Sequence, residues 1–161
     1  MAKVKRTSSF DALNKTFKEL DAVTGHVGWL NTAHYASGQP IAYIASIHEF
    51  GAASRNILPR PFMRPTIAEK RDEWNRLFER GIKAILRGKE TAHSVMEKIV
   101  SRATGDVQKT ISDLWTPALK EATVKARARR RHSKEITESL RKPLIDSGMM
   151  FQSISYRVDE E

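Results

Sequence analysis

Between Ile67 and Leu114, apolar residues recur every three or four positions, with one break at Gly88. That period belongs to an α-helix that buries one face. Ile67, Trp74, Leu77, Phe78, Gly81 and Ile85 form the first stripe. Ala92, Val95, Met96, Ile99, Val100, Ala103, Val107, Ile111 and Leu114 form the second. The spacing predicts two long helices, one over 66–86 and one from about Thr91 towards Pro117. Thr66 and Glu69 fit a capping box at the start of the first. Gly105 is a soft point in the second, costing about 1 kcal/mol relative to alanine.

The remaining elements are shorter. Ser8 or Ser9 can cap a helix with Phe10, Leu13, Phe17 and Leu20 as its stripe, and Gly25 breaks that pattern. "HVGWLNT" (26–32) alternates weakly through Val27 and Trp29, as a strand does. Residues 41–50 fit either period. Pro40 and Gly51 at the two ends favour a short helix. "KPLIDSG" is a turn, with Asp146 or Ser147 capping a helical turn through Phe151. "SISYRV" (153–158) alternates again and predicts a final strand. The expectation is an α+β fold of one domain over 1–161. A small antiparallel sheet packs against two long helices, with shorter helices besides.

Composition narrows the function. The chain has no cysteine, so disulfides, thiolate zinc sites and cysteine nucleophiles are excluded. No apolar run approaches the roughly 18 residues of a membrane span. The basic start "MAKVKRTSSF" is followed by no apolar stretch, so no signal peptide is expected. The net charge is +9, and the segment 120–142 holds nine Lys or Arg against three Glu. Most of the excess charge is therefore local. That segment is rich in Ala, Lys, Arg and Glu and has few apolar anchors, so a basic arm or an exposed helix is expected at about 120–141.

Few residues invite catalysis. "LIDSG" (144–148) has the form of an aspartic-protease turn, but that fold is almost all β, and Asp-Ser-Gly is also a common turn and cap. No two of His26, His34, His48, His93 and His132 sit at the i, i+4 spacing of a zinc-binding helix. No Walker loop, G-x-S-x-G or dinucleotide fingerprint is present. Neither catalytic, metal nor cofactor residues are assigned, and the chain is not expected to be an enzyme. "KARARRRHSK" (125–134) is the polyanion candidate. Lys125, Arg127, Arg129, Arg130 and Arg131 can neutralise phosphates or meet an acidic protein surface. No aromatic residue interleaves with them to stack on bases.

"HEFGAASRNILPRPFMRPT" (48–66) places three prolines in seven residues around Phe62 and Met63. Proline cannot sit within a central strand, so the segment is an edge strand or an extended lead-in to the Thr66 helix. Phe62 and Met63 then point to opposite sides.

The order "Glu-Phe-Gly" (49–51), variable loop, "Arg-Pro-Phe-Met-Arg-Pro" (60–65), helix, and late "Lys-Pro-Leu-Ile-Asp-Ser-Gly" (142–148) before a terminal strand resembles tailed-bacteriophage neck and tail-completion proteins. The type is that of the lambda-like minor tail protein Z. The resemblance spans roughly 25–158. It implies a small structural, non-catalytic α+β protein that completes the tail or neck at the head–tail junction of the virion. Assembly in the bacterial cytoplasm and ring formation are implied with it. The implied partners are copies of the chain, adjoining head-closure, tail-terminator or tail-tube proteins, and the DNA end in the channel, with no membrane. Glu49, Phe50, Gly51, Arg60, Phe62, Met63 and Arg64 become the assembly-interface candidates, with Phe62 turned to the core and Met63 or the 52–58 loop to a neighbour. The long arginine-rich stretch between Pro117 and Lys142 departs from the pattern. The alternative is a DNA-binding packaging accessory acting through 125–134.

Overall fold

A computed structural model describes residues 6–30 and 34–160. The fold is α+β, with seven α-helices and a two-stranded sheet among these residues. In chain order they are α1 (Arg6–Asp21), β1 (Val23–Gly28), α2 (Ile41–Phe50), α3 (Met63–Leu86), α4 (Ala92–Asp113), α5 (Glu121–Arg130), α6 (Glu138–Arg141), α7 (Met149–Gln152) and β2 (Ser155–Glu160).

The two long stripes become α3 and α4, which pack on each other. Thr91 caps α4, its side chain accepting from the Ser94 N–H at 3.1 Å. Gly105 lies inside α4 without breaking it. A polar tie crosses the pair where Trp74 Nε1 donates to buried Asp106 at 2.9 Å.

β1 and β2 pair antiparallel, Val23 opposite Glu160 and Gly28 opposite Ser155. Two strands alone are marginal in water. Here α4 backs both of them. Gly25, expected to interrupt, lies within β1 instead. A Cβ there would stand 2.4 Å from Val100 and 2.8 Å from the Met96 sulfur, so glycine lets the strand approach α4. The first strand therefore runs over 23–28, ahead of the expected 26–32. Trp29 and Leu30 follow it, and 31–32 lie outside the described residues.

The main core joins Ile41 and Ala45 of α2, Phe62, Val107 and Ile111 of α4, and Leu144, Met150 and Ile154. Burying a side chain the size of Phe62 contributes about 2–3 kcal/mol. A second cluster gathers Val23, Ile85, Ala92 and Val95 under the sheet. A third, small one holds Val124 and Ala128 of α5 against Leu140 of α6.

Two helix starts differ from expectation. α1 begins at Arg6, ahead of Ser8 and Ser9, and exposes Phe10 and Phe17 while burying Thr16. α3 begins at Met63, so Thr66 is inside it. The Thr66 hydroxyl donates to the Phe62 carbonyl at 2.6 Å, and no capping box with Glu69 forms.

Candidate functional site

The cap that α3 needs comes from α2. Glu49, in the last turn of α2, is only 4% exposed. Its Oε2 accepts from the backbone N–H of Phe62 at 2.7 Å and of Met63 at 2.9 Å. Its Oε1 accepts from the Arg64 backbone N–H at 3.1 Å and from Arg64 Nε at 3.0 Å. Pro65 has no N–H to satisfy, and Thr66 N bonds the Phe62 carbonyl. Every backbone donor in the first turn of α3 is thus accounted for. A negative charge there also suits the helix dipole. Burial pushes the Glu49 pKa up, but these four hydrogen bonds outweigh it and hold the carboxyl below its ordinary value.

The prolines serve this arrangement. Pro59 and Pro61 keep the approach extended, and Pro65 occupies a first-turn position where its missing donor costs nothing. The Arg60 backbone N–H donates to the His48 carbonyl at 2.7 Å, holding the approach against the end of α2. Gly51 closes α2 by donating to Ile47 O at 2.7 Å with φ +77°. A Cβ at Gly51 would meet Ile57 O and Pro59 N at 2.9 Å each. Only glycine therefore fits both the angle and the space. Residues 52–57 form a small bend closed by the Ala52–Ile57 bridge.

The seven interface candidates thus come together, but not all face outwards. Phe62 is fully buried, in the T-shaped contact with Trp29 at 5.6 Å. Two candidates are corrected. Glu49 is spent on the α3 cap. Arg60, also buried, donates through Nε to Pro117 O at 2.7 Å and through Nη2 to Ala118 O at 2.8 Å. Both are internal braces, because a buried charge must find its partners inside. Phe50 is the outward residue, 67% exposed, with the Arg64 guanidinium 4.9 Å from its ring centre. Met63 is half-buried at the edge of the main core. Beside Phe50 lies an apolar groove of about 230 Å³, walled by Trp29, Ala42, Ala45, Phe62 and Met63. Leu58 is also exposed, and with Phe50 it lines a second hollow over the 52–57 bend.

The basic segment is an ordered hairpin of α5 and α6. Arg127, a polyanion candidate, is corrected: it is buried, and its Nη1 donates to the carbonyls of Leu140 at 3.3 Å, Lys142 at 2.6 Å and Ile145 at 3.3 Å. Burial pushes its pKa down, and Asp146 opposes that. Arg127 is the post on which the hairpin closes. Asp146 of "LIDSG" is the counter-ion of the cluster. It faces Arg127 Nε at 3.6 Å and Arg130 Nη2 at 2.6 Å, and it takes Arg131 on its carboxylate and its carbonyl. Arg130 and Arg131 are therefore engaged within the chain, although their side chains remain solvent-facing. Lys125 and Arg129 are exposed and have no acidic partner among the described residues.

Sequence reasoning missed the cap at Glu49 and the burial of Arg127. The available signals were a glutamate two residues before Gly51 and an alanine-flanked arginine on the Val124–Ala128 side of α5. Among the described residues, no group of three His, Asp or Glu could hold a metal ion. No described helix is long and apolar enough to cross a membrane. Comparison with protein-family models, with curated proteins and with solved structures finds no match to this chain.

Proposed function

We propose that the chain is a structural virion protein of a tailed bacteriophage, completing the tail or neck at the head–tail junction by ring assembly. The observation that supports this reading is the Glu49 clasp. It joins the two early motifs of the resemblance into one rigid corner, and that corner presents Phe50 beside an apolar groove. A repeating interface needs apolar anchors on a fixed frame. The mechanism is association. Subunits join head to tail around a closed ring, as cyclic symmetry demands, and remain monomeric until they meet a template. The α5 face, through Lys125 and Arg129, meets an acidic neighbouring ring or the DNA end in the channel.

Phe50→Asp is the test. Phe50 is exposed, so the variant keeps the fold, yet it places a charge in the proposed contact. Met63→Asp probes the neighbouring position. Loss of complementation by a folded Phe50→Asp protein supports the reading, and full complementation by both variants overturns the assigned interface.

A second reading, a DNA-packaging accessory, rests on the exposure of Lys125 and Arg129. Duplex binding that survives physiological salt favours it; binding that vanishes there favours the structural role.

A further inference from the structure

A cavity of about 470 Å³ opens between α2, the C-terminal end of α5 and the 144–150 segment. It takes no part in the Glu49 clasp or the Phe50 groove. Its wall mixes two chemistries. Arg127, Arg130 and His48 supply charged and polar atoms, and Ile44, Leu144 and Met150 supply an apolar surface.

The polar side of this wall has unspent hydrogen-bonding capacity. Arg127 uses Nη1 on three carbonyls and turns Nε towards Asp146, and its Nη2 has no hydrogen-bond partner among the described residues. His48 lines the cavity, and its Nδ1 is buried without a hydrogen-bond partner. A buried polar atom left without a partner costs about 1–3 kcal/mol and calls for a reason. Burial pushes the His48 pKa down to about 4, and the charges of Arg60 and Arg127 act the same way. The imidazole is therefore neutral near pH 7 and offers one N–H. Asp146 is the carboxylate of the wall, and it answers three guanidinium groups with a single charge. The cluster keeps an excess of positive charge.

These groups match one kind of ligand. A guanidinium fork fits the paired oxygens of a carboxylate or phosphate. The volume lies in the range of small-molecule pockets and exceeds what a bare ion fills. The apolar wall asks for a body as well as a charged head. The geometry points to a binding site for a small organic oxyanion, a carboxylate or phosphate on an apolar body, held by Arg127 and Arg130, with His48 in its wall. This site stands independently of the phage reading.

The experiment follows the His48 ring resonances of the full chain by NMR at pH 7. Benzoate and inorganic phosphate are the probes, with sodium chloride at matched ionic strength as control. Arg130→Gln is the test variant, because Arg130 is largely solvent-facing and its loss spares the Arg127 post. Saturable shifts with benzoate assign a carboxylate source, and saturation with phosphate alone assigns a phosphate source. Either supports the site, with affinity in Arg130→Gln lowered by about tenfold or more. Shifts no larger than those with chloride, or a response undiminished in Arg130→Gln, overturn it.

Discussion

The carboxylate of Glu49 accepts the backbone N–H of Phe62 at 2.7 Å, and through that bond the last turn of α2 caps the first turn of α3. The short helix, the proline-fenced segment and the long helix are thereby one unit. Phe50 and Arg64 reach solvent beside the clasp.

Removing the carboxylate tests the unit. Glu49→Ala strands buried donors at the start of α3, and a loss of about 3 kcal/mol is expected. In a domain of this size the melting temperature falls by on the order of 10 °C. Glu49→Gln keeps an acceptor and loses less. An Ala variant that melts with the wild type refutes the cap.

Acid should act on the same bond. The folded pKa of Glu49 lies below its ordinary value, so its contribution is full above about pH 4.3. It is lost as pH falls through the folded value. Denaturant titrations from pH 6 downwards should therefore show a steeper loss in the wild type than in Glu49→Gln.

His48 contributes in an adjoining window. Its folded pKa of about 4 lies below the unfolded value of about 6.5, so between these limits the unfolded chain binds a proton that the folded one refuses. Stability falls as pH drops through that range. Replacing the imidazole in His48→Gln should flatten the dependence there, measured as proton uptake on unfolding near pH 5.5. An unchanged slope would show that His48 is charged in the fold.

Arg127 holds the basic hairpin by a planar fork, which lysine cannot copy. Arg127→Lys should cost about 2–3 kcal/mol and speed amide exchange across 121–141. Lys125→Ala, on the exposed side of the same helix, should stay within about 0.5 kcal/mol. Equal effects of the two would contradict the buried role of Arg127.

Gly105 lies in the interior of α4, and a Cβ there meets no atom within 4 Å. Gly105→Ala should therefore stabilise by up to about 1 kcal/mol, read as a raised denaturant midpoint.

Local periodicity was legible where one face is buried over many turns. The stripes of α3 and α4 and the α2 ends at Pro40 and Gly51 follow from spacing and end residues alone. The last strand was expected over 153–158 but runs over 155–160, with Ile154 buried ahead of it and no alternation of burial along it. The cap of α3 was not legible, because Thr66 and Glu69 satisfy the local pattern while the competing acceptor, Glu49, stands on another element. Arg127 was hidden in a run of like residues. Only the approach of the 140–146 carbonyls separates it from Arg129. Gly25 was misjudged for a related reason: the need for glycine arises from Val100 and Met96 on a distant helix. In α1, Phe10 and Phe17 keep helical spacing but face solvent, so the stripe gave the element and not its orientation.

The central claim is the role at the head–tail junction, and electron microscopy of particles made with this gene deleted tests it most directly. The account predicts filled heads separated from tails, or joined particles with a defective neck and lost infectivity. Normal, infectious particles would contradict it.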